Sequence, residues 1–145
     1  MTDHEHLWHI DWRDEFAIGD PVIDAQHRAF FAEVGQLRAA ILSDQPQQRY
    51  ADYCATFSHS LRRHFADEEQ LMAEMGYPGL DDHRSVHRHL LARVEAVRDQ
   101  VAAAPCLLDC ILASRSLIIM LIEHLLHDDM RLKAFLDGPA KEECA

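Results

Sequence analysis

Apolar residues recur at alternating steps of three and four along four separate stretches of the chain, which is the period of amphipathic helices. The first stretch opens with Asp20 as a helix N-cap and Pro21 at the first helical position, and it runs to about Ser43. No strand-like alternation of useful length is visible. The inward positions of the four predicted helices are Ile23, His27, Phe30, Val34, Leu37 and Ile41; Tyr50, Cys54, Phe57, Leu61, His64, Glu68 and Met72; His83, Val86, His87, Leu90, Val94, Val97 and Val101; and Leu107, Ile111, Leu117, Met120, Leu121 and His124.

Short breaker segments separate these helices. Residues 43–46 are turn-forming, the Gly-Tyr-Pro-Gly run at 76–79 opposes helix continuation, and Pro105 ends the third helix. We expect Asp81 or Asp82 to cap the third helix. Because short connections force consecutive helices to lie antiparallel, the pattern predicts an all-α, up-down-up-down antiparallel four-helix bundle.

The length of 145 residues is ordinary for one domain, so a single domain over residues 1–145 is expected. Two tryptophans and a phenylalanine near the N-terminus (Trp8, Trp12 and Phe16) need a surface to pack on, which predicts an arm folded across the bundle. The expected parts are an N-terminal arm (1–19), a four-helix core (20–129) and a C-terminal tail (130–145) that extends the last helix briefly.

The net charge of the chain limits the classes of binding partner that we expect. The chain has 14 Lys and Arg against 25 Asp and Glu, a formal net charge of −11. No stretch gathers enough basic residues to follow a phosphate backbone or an anionic membrane, so neither is expected as a partner. No secretory signal is visible, and a cytoplasmic location is expected. The most apolar stretch, residues 107–126, contains charged residues and is interpreted as a buried bundle helix rather than a membrane span.

The cysteines lack the Cys-x-x-Cys spacing of a zinc or redox site. Cys54, Cys106 and Cys110 are interpreted as small buried apolar residues, and Cys144 lies in the tail.

Seven potential metal ligands fall on or beside the apolar stripes. An unpaired polar group in a core costs about 1–3 kcal/mol, and a single inward histidine is more often a hydrogen-bonded core residue than a ligand. Seven such groups in one small core would be too destabilising unless a cation gathers them. Two pairs are four residues apart and so share one helix face. The seven are His27, His64, Glu68, His83, His87, His124 and Asp129.

The ligand types indicate which metal. Seven ligands exceed one tetrahedral zinc, no thiolate set is present, and calcium or magnesium would require almost only oxygen. Two octahedral first-row ions sharing both carboxylates, with one solvent-derived bridge, fit best and leave one position open. Such a pair is suited to hold a small exogenous ligand such as O₂.

Three segments carry a resemblance to a known family. They resemble the hemerythrin family, specifically its single-domain bacterial members, over nearly the whole chain. The segments are Trp12-x₃-Phe16-x₂-Gly19-x₃-Ile23-Asp24-x-Gln26-His27; His64-Phe65-x₂-Glu68-Glu69-x₂-Met72-x₃-Gly76-Tyr77-Pro78-x₄-His83-x₃-His87; and His124-x₄-Asp129.

This resemblance implies two non-haem iron ions with an oxo or hydroxo bridge. It places three histidines on one iron (His83, His87 and His124), two on the other (His27 and His64), and Glu68 and Asp129 between them. O₂ would bind reversibly at the two-histidine iron, in an apolar pocket. The candidate pocket walls are Ile23, Phe65, Met120, Leu121 and Leu125.

Two positions are unusual. The family commonly has tryptophan where this chain has Met120, and the thinner thioether is expected to admit water or peroxide. Asp129 lies five residues after His124, about 140° away on an ideal helix, whereas Asp128 aligns better. The resemblance favours Asp129, which requires the helix to unwind or bulge locally.

The leading hypothesis is therefore a non-enzymatic O₂ carrier, store or sensor. The alternative is a di-iron redox enzyme that turns over peroxide, nitric oxide or ferrous iron at the same open iron. A metal-handling or purely structural bundle is disfavoured, because a metal store needs no vacant position.

Overall fold

The computed structural model describes residues 11–43, 47–103 and 107–138, and these residues form an all-helical bundle, as predicted. Consecutive helices pack side by side, and α1 also contacts α4, which closes the bundle. The elements are a 3₁₀ turn (Asp14–Phe16), α1 (Pro21–Leu42), α2 (Gln47–Glu74), α3 (Leu80–Ala103), α4 (Leu107–His124), a π-helical turn (Leu125–Asp129) and α5 (Met130–Asp137).

Some predicted positions lie outside this description. Trp8, Cys106 and Cys144 fall outside the described residues, as do the side chains of Ile41 and Leu107. The predicted brief extension of the last helix into the tail is confirmed, because α5 ends at Asp137 and Gly138 follows with φ of 77°.

The start of α1 is capped as predicted. The Asp20 carboxylate accepts a hydrogen bond from the Ile23 amide at 3.0 Å, and Pro21 occupies the first turn. Asp24, one turn further on, accepts hydrogen bonds from the backbone amides of Ile18 (2.7 Å) and Gly19 (3.2 Å). These two bonds tie the end of the arm to α1.

The described part of the arm packs on α1 through aromatic contacts. The Phe31 ring lies 5.7 Å from that of Trp12 and 5.6 Å from that of Phe16, and the Arg28 guanidinium lies 5.1 Å from the Trp12 ring. The tryptophan and phenylalanine therefore have the packing surface that their size requires.

The break between α2 and α3 is a Schellman motif. Gly76 has φ of 66°, its amide donates to the Ala73 carbonyl, and the Tyr77 amide donates to the Met72 carbonyl at 2.9 Å. The turn leads directly into α3 at Leu80.

The predicted cap of α3 was wrong by two or three residues. Asp81 and Asp82 lie inside the first turn of α3, and the carbonyl of the preceding Gly79 accepts the first helical bond from the His83 amide at 3.0 Å. The tight turn before Leu80 already directs the chain into the helix. The two aspartates instead place negative charge at the positive end of the helix.

Polar residues form a layer between two apolar clusters. Each of four helical stretches (α1, α2, α3, and α4 continued by α5) runs from one apolar cluster, past the predicted ligands, to the other apolar cluster. The smaller cluster has Ile18, Ile23, Met72 and Leu132 at its centre, and the larger one includes Leu37, Leu61, Phe65, Leu90, Val94, Leu117 and Ile118. The predicted ligands therefore lie at one level of the bundle, enclosed from both ends.

Among the described residues, one continuous helical stretch, Leu108–Asp137 (most of α4, the π-helical turn and α5), is long and apolar enough to pass a length and hydropathy test for a membrane span, with a mean hydropathy of 1.5. Core helices of bundles pass the same test. This helix contributes the buried Cys110, Ser114 and Leu117 to the bundle interior, together with two of the predicted ligands.

Candidate metal centre

The structure brings all seven predicted ligands together at the level between the two apolar clusters. Each has at most 6% of its surface exposed. Every helix of the bundle contributes: α1 supplies His27, α2 supplies His64 and Glu68, α3 supplies His83 and His87, α4 supplies His124, and the π-helical turn supplies Asp129. Each of the seven side chains contacts at least one other member of the cluster.

The π-helical turn explains how Asp129 reaches the cluster. A regular α-helix would leave Asp129 far from the His124 face, as the spacing indicated. The wider π turn over Leu125–Asp129 instead brings the Asp129 Oδ1 atom to 3.2 Å from His124 Nε2. The expected local distortion of the helix is confirmed. It also leaves Asp128 beside the same imidazole, where its Oδ2 accepts a hydrogen bond from Nδ1 at 2.9 Å.

The two buried carboxylates divide their oxygens between two groups of histidines. Glu68 Oε1 lies 2.6 Å from His83 Nε2 and 3.4 Å from His87 Nε2, whereas Oε2 lies 3.1 Å from His64 Nε2 and 3.6 Å from His27 Nε2.

Asp129 repeats this division. Its Oδ1 lies 3.2 Å from the Nε2 atoms of both His83 and His124, and its Oδ2 lies 3.4 Å from His27 Nε2. Each carboxylate thus faces a three-histidine group with one oxygen and a two-histidine group with the other.

The Nε2 atoms of the histidines converge on common points, where they face one another instead of facing complementary hydrogen-bond donors or acceptors. His27 Nε2 lies 2.9 Å from His64 Nε2, and His87 Nε2 lies 3.2 Å from His124 Nε2. Two ring nitrogens that face each other can share at most one proton between them, because two N–H groups cannot donate to each other.

Two carboxylate oxygens in the cluster are buried without a hydrogen bond, namely Glu68 Oε2 and Asp129 Oδ1. Five imidazole nitrogens and the oxygens of two carboxylates therefore converge with donors too few to satisfy them. Cations would satisfy them all, so the residues present fit a metal centre. Two overlapping groups form candidate cation sites: Glu68, His83, His87, His124 and Asp129; and His27, His64 and Glu68.

Within this cluster the pKa values shift in the directions that the carboxylates impose. Burial raises the pKa of Glu68, but its contacts with the histidines outweigh burial and hold that pKa well below its usual value. Burial also lowers the pKa of His83 and His124, but Asp129 and the other nearby carboxylates raise these pKa values to about 9 and about 10. For His87 burial prevails and the pKa is lowered. Glu68 is thus ionised, and metal binding must displace protons from histidines.

An apolar cavity of about 60 Å³ opens beside the two-histidine group. His27, His64, His124 and Asp129 border it, and three of the five predicted wall residues, Phe65, Leu121 and Leu125, line it. The other wall residues were not singled out from the sequence, because at helical spacing they are equally expected as core: Phe30, Phe31, Val34, Phe57, Leu61, Ile118 and Ile122.

Two predicted wall residues do not line this cavity. Ile23 lies one turn before His27 on α1, and it packs with Met72 in the smaller apolar cluster on the opposite side of the ligands. Met120 is half-buried and packs against the larger cluster, while its neighbour Leu121 faces the cavity. The expectation that Met120 admits water to the site is therefore not supported by its position.

Comparison with known proteins agrees with this geometry. The model of the hemerythrin HHE cation binding domain matches residues 19–136. This chain belongs to the hemerythrin family. It is 33% identical to a bacteriohemerythrin of Stenotrophomonas maltophilia, over 90% of this chain and 86% of the relative. It is 30% identical to a myohemerythrin of Riftia pachyptila, over 59% of this chain and 66% of the relative.

Membership in the hemerythrin family implies a di-iron, oxygen-binding protein, and hemerythrins are generally oxygen-binding proteins rather than enzymes. The matched range runs from the end of the arm through α5, so it contains the whole side-chain cluster. The assignment of individual residues to individual irons stays a prediction.

Proposed function

We propose that this hemerythrin binds O₂ reversibly at a non-haem di-iron centre, bridged by an oxo or hydroxo group, and serves as a carrier, store or sensor of O₂. The observation that supports the proposal best is the division of the Glu68 and Asp129 oxygens between two groups of histidines. A single metal site would not require both carboxylates to face two ways.

The proposed ligand sets follow these contacts. His83, His87 and His124 would hold one iron, since they face Glu68 Oε1 or Asp129 Oδ1. His27 and His64 would hold the second iron, since they face the other oxygens of the two carboxylates. The second set is one ligand shorter, which leaves room for an exogenous ligand there.

When bound, the two irons supply the electrons that reversible O₂ binding needs. The protein controls access and environment. The cavity borders His27 and His64, and its apolar walls keep bulk water from this side of the site. The Phe65 ring stacks on the His87 ring at 3.8 Å with an interplanar angle of 7°, which fixes the orientation of that imidazole.

The alternative of a redox enzyme acting on peroxide, nitric oxide or ferrous iron has less support. It requires the same open iron, and an opening of the site at Met120 would have favoured it further, but this residue does not line the cavity. The proposal therefore retains O₂ itself as the ligand.

The proposal is tested by optical cycling of the reconstituted protein. The reduced, iron-loaded protein is mixed with O₂ and then degassed, and its visible absorption is followed. We expect a visible charge-transfer band that appears with O₂ and disappears on degassing, over repeated cycles. Irreversible bleaching after one cycle would contradict reversible binding, and sustained consumption of peroxide or nitric oxide in stopped flow would favour the enzyme.

A further inference from the structure

The histidines of the cluster differ in what lies behind them, at the Nδ1 atom turned away from the site. His64 and His124 each have a hydrogen-bond partner at Nδ1, at 2.7 Å and 2.9 Å. The Nδ1 atoms of His27 and His87 are buried without one. The partner of His124 is the carboxylate of Asp128, whereas the partner of His64 is the neutral side-chain amide of Gln26.

The amide of Gln26 has only one orientation compatible with its neighbours. Its Nε2 lies 2.7 Å from the Asp67 Oδ2 atom, and its Oε1 lies 2.7 Å from His64 Nδ1. An ionised carboxylate accepts hydrogen bonds and donates none, so the NH₂ group must face Asp67. The carbonyl oxygen of Gln26 therefore faces His64.

This orientation decides the tautomer of His64. The Gln26 carbonyl can only accept, so His64 Nδ1 must carry the proton and donate it. In the neutral imidazole the lone pair then lies on Nε2, directed towards Glu68 and His27. Asp67, which lies outside the cluster, thus determines through Gln26 which nitrogen of His64 is available to a metal.

We propose that Gln26, oriented by Asp67, is a positioning residue for His64 that fixes its tautomer and gives it a neutral hydrogen-bond acceptor. The three-histidine group receives a charged acceptor instead, from Asp128 to His124. A charged acceptor raises the basicity of a histidine ligand more than a neutral one does. The two groups therefore differ in ligand basicity. His64, which has the neutral acceptor, is a less basic ligand than His124, and it belongs to the two-histidine group beside the cavity. This inference rests on the proposed function for its effect on iron, but the tautomer does not depend on iron.

The first test is Gln26→Leu, with Gln70→Leu as the matched control. Gln70 lies on the exposed face of α2 and hydrogen-bonds only to Glu74 among the described contacts of its side chain. Loss of such an outer partner costs about 10- to 100-fold in metal affinity. We expect this weakening of Fe²⁺ binding for one of two equivalents in an anaerobic titration of Gln26→Leu, and no change for Gln70→Leu. Wild-type affinity in Gln26→Leu would overturn the proposal.

The second test reads the tautomer directly in metal-free protein, by ¹⁵N NMR of the imidazole nitrogens. In the wild type we expect the neutral form of His64 to carry its proton on Nδ1, and in Gln26→Leu we expect this form to be a mixture of tautomers. A wild-type protein with the correct tautomer that binds no iron would refute the proposed function and leave the role of Gln26 standing. A neutral His64 with its proton on Nε2 in the wild type would refute the role of Gln26.

A third test separates positioning from a structural role. The double variant Gln26→Glu with Asp67→Asn exchanges the amide and the carboxylate but keeps both hydrogen bonds and the net charge. We expect it to bind two irons like the wild type and to have a lower reduction potential, because a charged acceptor now faces His64. This variant also covers the case in which Gln26→Leu does not fold. An unchanged potential would contradict the proposed electronic role.

Discussion

Glu68 is the most enclosed residue of the cluster, with none of its surface exposed and a contact with an imidazole nitrogen of each of four histidines. Burial of a carboxylate is tolerated only when opposite charges or hydrogen-bond donors surround it. The same side chain therefore has two expected purposes: it balances the histidines in the metal-free cluster, and it would offer both oxygens to metals.

Glu68→Ala should remove both effects together. Removing one partner of a buried charge pair costs about 3–5 kcal/mol, and the shared ligand of both proposed irons would be lost as well. We expect a lower melting temperature, less than two irons per chain, and no stabilisation by iron. Elemental analysis and thermal denaturation with and without iron measure these quantities. Glu74→Ala, on the exposed end of the same helix, is the control, and two retained irons in Glu68→Ala would refute the assignment.

Adjacent residues of α4 allow a matched test of the cavity. Leu121 lines the cavity and Met120 does not. We expect Leu121→Trp to fill the cavity and weaken O₂ binding about tenfold or more, equivalent to ~1.4 kcal/mol, with iron content unchanged. Met120→Trp should leave both nearly as they are. Equal effects of the two substitutions on O₂ binding would contradict the location of the pocket.

Cys54 shows how burial acts on a group that takes no part in the site. Burial, with a smaller contribution from Cys110, raises the pKa of the Cys54 thiol to about 11. Its stabilising contribution is complete below pH 9, the ordinary thiol pKa, and is lost as the pH rises towards 11. We expect alkylation of Cys54 in the folded protein, followed by peptide mapping, to be very slow at pH 8 and to accelerate only near pH 11. Rapid labelling at pH 8 would show a more open core.

At the scale of elements, the π-helical turn is the feature on which the site depends most. Where α4 would continue regularly, the turn places two consecutive aspartates around one imidazole: Asp129 beside His124 Nε2 and Asp128 beside Nδ1. Asp129 has 1% of its surface exposed, whereas the Asp128 side chain is 26% exposed. The two neighbours therefore have different expected roles.

Asp129→Ala and Asp128→Ala form a matched pair. Loss of Asp129 removes a proposed ligand shared by both irons, so we expect iron content to fall well below two per chain. Loss of Asp128 removes only the acceptor behind His124, so two irons should still bind, with about 10- to 100-fold weaker affinity. Iron titration of the two variants decides between them. A larger loss in Asp128→Ala would reverse the assignment of the two residues.

The sequence was sufficient for the features that local chemistry controls. Asp20 and Pro21 predict the start of α1 from local backbone chemistry. The spacing alone favours Asp128, and only the resemblance, which favours Asp129, predicts the distorted helix. The cap of α3 was misplaced, since the turn at Tyr77–Gly79 and not a carboxylate begins that helix.

The roles of Gln26 and Asp67 could not be predicted, because 41 positions separate them along the chain and only the packing of α1 on α2 brings them together. The same limit applies to the cavity. Ile23 and Met120 share the helical spacing of true wall residues, and only the three-dimensional packing separates them from Leu121.

At the scale of the whole molecule, a polar layer lies between two apolar clusters, and α1, α2, α3 and the continuous stretch from α4 to α5 each contribute to all three levels. Burial of these polar groups destabilises the bundle. Bound cations would offset this destabilisation, because they would link four helices to one another. Metal content and stability should therefore change together.

The most direct measurement is the metal content of the wild-type protein after anaerobic reconstitution with Fe²⁺ and removal of unbound metal. The account predicts two irons per chain, together with a higher melting temperature than that of the chelator-treated protein. One iron per chain, or a preference for a single zinc under competition, would contradict it.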